Sequence, residues 1–299
     1  MNKPWFDDGN IIISAGGKRF KVHRSILAAQ SAFFSDLFSV ADADGTNTSD
    51  GCQVVELHDS PAEVADFLRA IFDSSFFDAN PASKPPAATI CGVLRLAHKY
   101  DVPYLRRRAL AHASRLVPRT YKQFVDRALT ESTADTYFRL ADVALETGVN
   151  WLLPTVLEAC ARSLIYAPKV RPPVPEATVA RCAAGVEAVQ AAGDERIARL
   201  FFNTTKPYCL PLRVNACADS FRELQGDWES QLFPAAGRSW KDCENAMRSG
   251  LCTICFPAMV AKNAAWTEQY WDGLPAMFGL GSWSTLESER REDLRYSNA

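Results

Sequence analysis

The 299-residue chain carries 33 Lys and Arg against 35 Asp and Glu, a formal net charge of -2 and an isoelectric point near 6.1. Nothing in that balance attracts the chain globally to DNA, RNA or an anionic membrane, and no apolar run approaches the ~18 residues of a membrane span. At 47% apolar and 23% charged, the composition is that of a folded protein, long enough for one large domain or two ordinary ones.

The first residues, Met1 to Gly9, lack the apolar segment of a secretory signal. Ile11-Ile12-Ile13 is a β-branched run, Ala15-Gly16-Gly17-Lys18 supplies a turn, and Phe20-Lys21-Val22 returns with period two, which predicts a hairpin. A helix should begin near His23-Arg24-Ser25, with Ile26, Leu27, Phe33, Phe34, Leu37 and Phe38 on one face. Asp42 to Gly51 reads as an exposed loop, and Val54 to Leu57 as a short strand. Ser60-Pro61-Ala62-Glu63 has the spacing of a capping box and opens a helix carrying Val64, Phe67, Leu68, Ile71 and Phe72. After a proline-containing insertion at Asp78 to Ala88, two helices are expected at Ile90–Tyr100 and Pro103–Leu116.

Beyond Pro118 the pattern is almost wholly helical. Amphipathic segments are predicted at Tyr121–Leu129, Ala134–Leu145, Leu153–Ile165, Glu176–Ala191, Glu195–Phe202, Cys217–Leu232 and Pro257–Tyr270. The charged end from Glu287 onward is expected to fray.

The residues themselves narrow the choice of fold. Trp5 to Ile13, then Phe20-Lys21-Val22-His23-Arg24-Ser25-Ile26-Leu27-Ala28 with Ser31 and Phe34, resemble the start of a BTB/POZ domain. Val55 to Pro61 with Phe67-Leu68 and Ile71-Phe72 is similar to that family's central strand and helix, and Leu94 to Val102 with Leu105 to its closing helix pair. Order and spacing agree over residues ~5 to 118 apart from the two insertions. Later pieces, among them Leu140-Ala141-Asp142-Val143-Ala144, Leu152-Leu153-Pro154 and Cys252-Thr253-Ile254-Cys255, resemble a large group of fungal BTB proteins.

The resemblance implies an α+β domain over residues 1–118, a small sheet wrapped by helices, followed by an all-α part. That part divides into a helical region at 119–206, a cysteine-containing helical region at 207–286 and a charged tail at 287–299. It further implies a non-enzymatic protein that pairs with itself and recruits another protein. A cullin-type ubiquitin ligase is one destination, and a transcriptional or scaffolding regulator the other. Cullin adaptors of this family often carry an apolar-x-Glu motif, for which Val40-Ala41-Asp42 is the nearest approximation here. In the family, the residues matching Asp8 and Arg24 line a charged pocket at the dimer interface; solvated ends of ordinary elements are the alternative.

Candidate chemistry is sparse. All four histidines, His23, His58, His98 and His112, fall in the first region with no nucleophile patterned beside them, so structural roles are expected. Gly16-Gly17-Lys18 lacks the GxxxxGK[ST] spacing of a phosphate loop, and Arg106-Arg107-Arg108 with Arg115 and Arg119 reads as a solvated face. The nine cysteines, an odd number on a chain without a signal, fit free thiols in a reducing cytoplasm or nucleus. Cys252-x2-Cys255 has chelating spacing, and Cys209 and Cys217 offer a second pair, with Cys243 a substitute for any of them. Four thiolates would hold a structural zinc; buried thiols acting as small hydrophobes are the other reading. An enzyme built on the helical half would require Cys252 or Cys255 beside a carboxylate in a polar pocket.

Overall fold

The structure is a computed structural model, described over residues 4–44, 48–78, 80, 82–126, 131–166, 174–202, 217–223 and 240–295. Cys209 and the far ends of the segments predicted to run to Leu129 and Leu232 lie outside those residues. Two compact units emerge: residues 1–117 with 143–149 and 288–299, and residues 118–142 with 150–287.

In the first unit, β1 (Ile11–Ala15) is buried along its whole length, as a continuous β-branched run predicts for a central strand. It pairs antiparallel with β2 (Lys18–Val22) and parallel with β4 (Cys52–Leu57); β4 also takes the two-residue β3 (Thr48–Ser49), giving the order β2-β1-β4-β3. Both hairpins turn on residue pairs with positive φ: Gly16 (49°) and Gly17 (77°), then Asp50 (52°) and Gly51 (73°). Left-handed turns of this kind match the twist of the flanking strands. The second hairpin occupies part of the expected Asp42–Gly51 loop, because an Asp-Gly pair can nucleate so short a β3.

The expected helix at residues 23–38 is two helices, α1 (Arg24–Gln30) and α2 (Ala32–Asp44), with Ser31 between them in extended geometry. The break separates the six apolar residues: Leu27, Phe34 and Phe38 are buried, whereas Ile26 and Phe33 stand 40% and 41% exposed. Helix α3 (Pro61–Phe72) starts at the expected place, but Ser60 makes no side-chain cap. Glu63 instead receives Arg95 Nη1 at 2.5 Å, a charge-assisted bond stronger than a neutral cap. Helices α4 (Ala87–Lys99) and α5 (Pro103–Leu116) complete the layer, α3 on α4 and α4 on α5. Phe34, Phe38, Phe67 and Tyr100 meet in one aromatic cluster, with ring centroids 5.0 to 5.9 Å apart. Burying each such ring contributes about 1.5–3 kcal/mol. Near the chain end the unit is pinned by Arg106, whose Nη1 donates to Asp293 at 2.7 Å.

The second unit is helical: α6 (Tyr121–Asp126), most of α7 (Glu131–Thr147), α8 (Leu153–Tyr166), α9 (Glu176–Ala183), α10 (Val186–Ile197), α11 (residues 217–223), α12 (Trp240–Gly250), α13 (Cys255–Met277) and the start of α14 (Trp283–Leu294). Helix α8 is buried without interruption from Leu153 to Ala161 and packs on α9, α10 and α13. The single helix expected at Glu176–Ala191 is broken between α9 and α10, where Gly185 lies under the Phe278 ring. The frayed end expected from Glu287 is instead helical to Leu294. Helix α14 is seated by the Trp283 ring, stacked 4.3 Å from Trp271, and its indole N–H, which donates to the Trp271 carbonyl at 2.7 Å. Among the described residues, no helix is long and apolar enough to cross a membrane.

Candidate functional site

Asp8 and Arg24 are positioned by the segment that leads into β1. Trp5 bridges to Lys21, the Phe6 N–H donates to the Lys21 carbonyl at 2.9 Å, and the Asn10 N–H donates to the Val22 carbonyl at 3.0 Å. These bonds lay residues 5–10 along the edge strand β2 and turn the Asp8 side chain outward. It is 85% exposed, with Oδ1 3.4 Å from His23 Nε2. A carboxylate so placed can be enclosed only by another surface.

Arg24 opens α1. Its backbone N–H donates to Asn10 Oδ1 at 2.8 Å, supplying a cap that His23 does not provide. Its Nη2 donates to the Phe38 carbonyl at 3.1 Å while the guanidinium sits 5.4 Å from the Phe38 ring centre. The guanidinium is thus held against α2, next to the exposed side of α1. His23 is packed 5.2 Å from Phe6 and 6.5 Å from Phe72, the environment of a structural histidine.

Asp8 thus faces His23 while Arg24 faces Phe38. Of the large hydrophobic residues that stand exposed among the described ones, Trp5 (44%), Ile26 and Phe33 lie within the first 33 residues and Ile254 (52%) lies elsewhere. Helix α1 buries a single residue, Leu27, so most of its circumference faces outward. Sequence patterning missed this, because Ile26 and Phe33 fit the apolar face of one long helix and only the break at Ser31 turns them out.

Three of the four proposed metal ligands come together. Cys217 on α11, Cys252, and Cys255 at the first turn of α13 place their sulfurs within 4.8 Å of one another. The Cys252 N–H donates to Cys217 Sγ at 3.4 Å, and the Cys255 N–H donates to Cys252 Sγ at 3.5 Å. Backbone N–H groups of Cys255 and then Ile254 hold the Cys252 thiol down to about 6. This is the expected effect of donors converging on a sulfur at a helix N-terminus. Cys217 and Cys255 are buried in a small core with Leu200, Phe221, Met247, Leu251 and Met259, while Cys252 is half-buried at its rim. Cys209, and the side chain of Cys243 on α12, lie outside the described residues.

His112 is buried against Phe77, its Nε2 bonded to the Asp78 carbonyl at 2.8 Å and its Nδ1 facing Arg115 at 3.2 Å. Expected to be a solvated face, the arginine run is partly engaged: Arg106 binds Asp293, and Arg108 Nη1 donates to the Phe77 carbonyl at 2.8 Å. Successive side chains around a helix face different neighbours, and those of Arg106 and Arg108 reach acceptors.

Comparison with known proteins bears on the first unit. Residues 6–115 match the family model described as BTB/POZ domain. No curated protein matches the chain.

Proposed function

We propose, from the BTB/POZ domain that this chain carries over residues 6–115, that it is an adaptor that homodimerises through that domain and recruits a second protein inside the cell. BTB/POZ domains are interaction modules rather than catalysts, so protein binding is common to the adaptor, transcriptional and scaffolding roles alike. The observation that carries the homodimer is the exposure of Trp5, Ile26 and Phe33 in the first unit, together with the 85% exposed Asp8. Exposed large apolar side chains are the composition of an interface core, and self-association buries them. The same stretch on the partner copy would enclose the Asp8 carboxylate and supply its compensating charge.

The second protein is proposed to be a cullin-type ubiquitin ligase subunit. The triplet Val40-Ala41-Asp42 on α2 is the nearest approximation to the family's apolar-x-Glu cullin motif and departs from it by a carboxylate one methylene shorter. Two differently tagged copies should co-purify, and the Asp8→Asn/Arg24→Gln double variant should separate them. Binding of the purified chain to a cullin N-terminal domain by interferometry, lost on Val40→Asp, tests the partner. Normal self-association without cullin binding would redirect the adaptor toward a transcriptional or scaffolding complex.

A further inference from the structure

The second unit contains a site that self-association does not use. We propose that Cys217, Cys252 and Cys255 bind one zinc ion as three thiolates, and that the ion ties α11 to the start of α13. Three arguments converge on this.

The first is geometry. Tetrahedral zinc with Zn–S bonds near 2.3 Å needs sulfurs about 3.8 Å apart. The three sulfurs already lie within 4.8 Å of one another, so side-chain rotation closes the remaining distance.

The second is preorganisation of the sulfurs as acceptors. A zinc ligand must be deprotonated, and N–H donors aimed at sulfur favour the thiolate. Here the Cys252 N–H reaches Cys217 Sγ and the Cys255 N–H reaches Cys252 Sγ. The Cys-x2-Cys segment therefore folds so that its own backbone serves the sulfurs. Buried thiols acting only as hydrophobic filler need no such donors.

The third is the small size of the core that holds α11 among the described residues. There, residues 217–223 are joined to the unit through a core of seven buried residues, two of which are the cysteines Cys217 and Cys255. Small cores gain most from a metal cross-link, because the binding free energy becomes folding free energy. On binding, each thiol still protonated releases its proton to solvent, no electrons are transferred, and one coordination position remains for a fourth donor. The residue types select the metal class: soft sulfur donors without carboxylate or imidazole suit zinc over calcium or magnesium.

The test uses the full chain, purified with a phosphine reductant and desalted. Elemental analysis should give about one zinc per chain, and cobalt added to metal-free protein should produce a thiolate-to-cobalt charge-transfer band. Cys217→Ser, Cys252→Ser and Cys255→Ser should each lose the zinc, whereas Cys91→Ser should retain it. Because a serine variant can fail to fold, the wild type also undergoes alkylation mapping with and without zinc; bound metal should protect these three cysteines selectively. The proposal is overturned if wild-type protein holds no zinc and gives no cobalt band. It is equally overturned if the three thiols alkylate at the same rate with and without zinc, or if a disulfide joins two of them in reduced, zinc-supplied protein.

Discussion

Ser31 Oγ donates to the Tyr100 carbonyl at 2.5 Å, joining the gap between α1 and α2 to the end of α4 across 69 residues of sequence. The same oxygen accepts the Phe34 N–H at 3.1 Å, so it caps α2 as well. Ser31→Ala removes the cap and leaves a buried carbonyl without this donor. A loss of about 1–3 kcal/mol is expected, seen as a lower urea midpoint at unchanged slope. An unaltered midpoint would mean that neither bond contributes.

Arg95 stands between Glu63 and Glu146, at 2.5 Å from each. Burial pushes the Glu63 carboxyl up despite the attraction of Arg95. Arg95→Gln therefore leaves a half-buried carboxylate short of its cation and should cost about 1–3 kcal/mol. Adding Glu63→Gln should recover part of that loss. Glu146→Gln should recover little, since Glu146 is 51% exposed and its pairing is screened by water. Urea melts of the single and double variants give the coupling directly.

Acid should weaken the fold through His112. Burial depresses its folded-state pKa below the ordinary 6.5, so the folded chain resists protonation more than the unfolded chain does. Stability from this group is complete above that ordinary value. It falls as pH drops through 6.5 toward the lower folded pKa, because the unfolded state then binds the extra proton. His112→Gln should flatten this part of the stability profile. An unchanged slope between neutral and mildly acidic pH would assign the loss to other groups.

A Cβ built on Gly185 would overlap Phe278 Cε1 and lie 3.0 Å from Cδ1 of the same ring, which no rotation of a methyl group relieves. Gly185→Ala should drive α9 and α10 away from the end of α13 and lower the melting temperature, at a cost of about 1–3 kcal/mol. Pairing it with Phe278→Leu should restore part of the loss, because the smaller side chain vacates the space. If Gly185→Ala alone is neutral, the close approach is not maintained in solution.

Much of this architecture was legible in the residues, and the failures share a cause. Ile11-Ile12-Ile13 and the Gly16-Gly17 turn were readable because strand burial and positive φ are local requirements with few solutions. The capping box at Ser60 was misread because Glu63 has a better partner in Arg95, 32 residues away, which no local pattern reveals. The division at Ser31 was missed for the same reason, since its second partner is the carbonyl of Tyr100. Gly185 resembles a tolerated helix glycine until Phe278 is set against it. Helix α12 was missed because residues 240–250 hold few apolar positions, and α14 because a charged end hid the anchoring Trp283. For the cysteines, the Cys-x2-Cys spacing pointed to Cys252 and Cys255 and named Cys217 with them, but only the fold brings the three sulfurs within 4.8 Å of one another.

Self-association through the N-terminal face is tested most directly by the light-scattering mass of the purified chain at micromolar concentration, beside an Ile26→Asp/Phe33→Asp variant. Ile26 and Phe33 are 40% and 41% exposed, and the Phe33 ring also lies 5.0 Å from Tyr100, so circular dichroism and a urea melt establish that the variant is folded. The expected result is a wild-type mass of twice 33.0 kDa that falls to 33.0 kDa in the variant. A wild-type mass of 33.0 kDa, or a variant that stays dimeric with its fold intact, would contradict the assignment of this face as the interface.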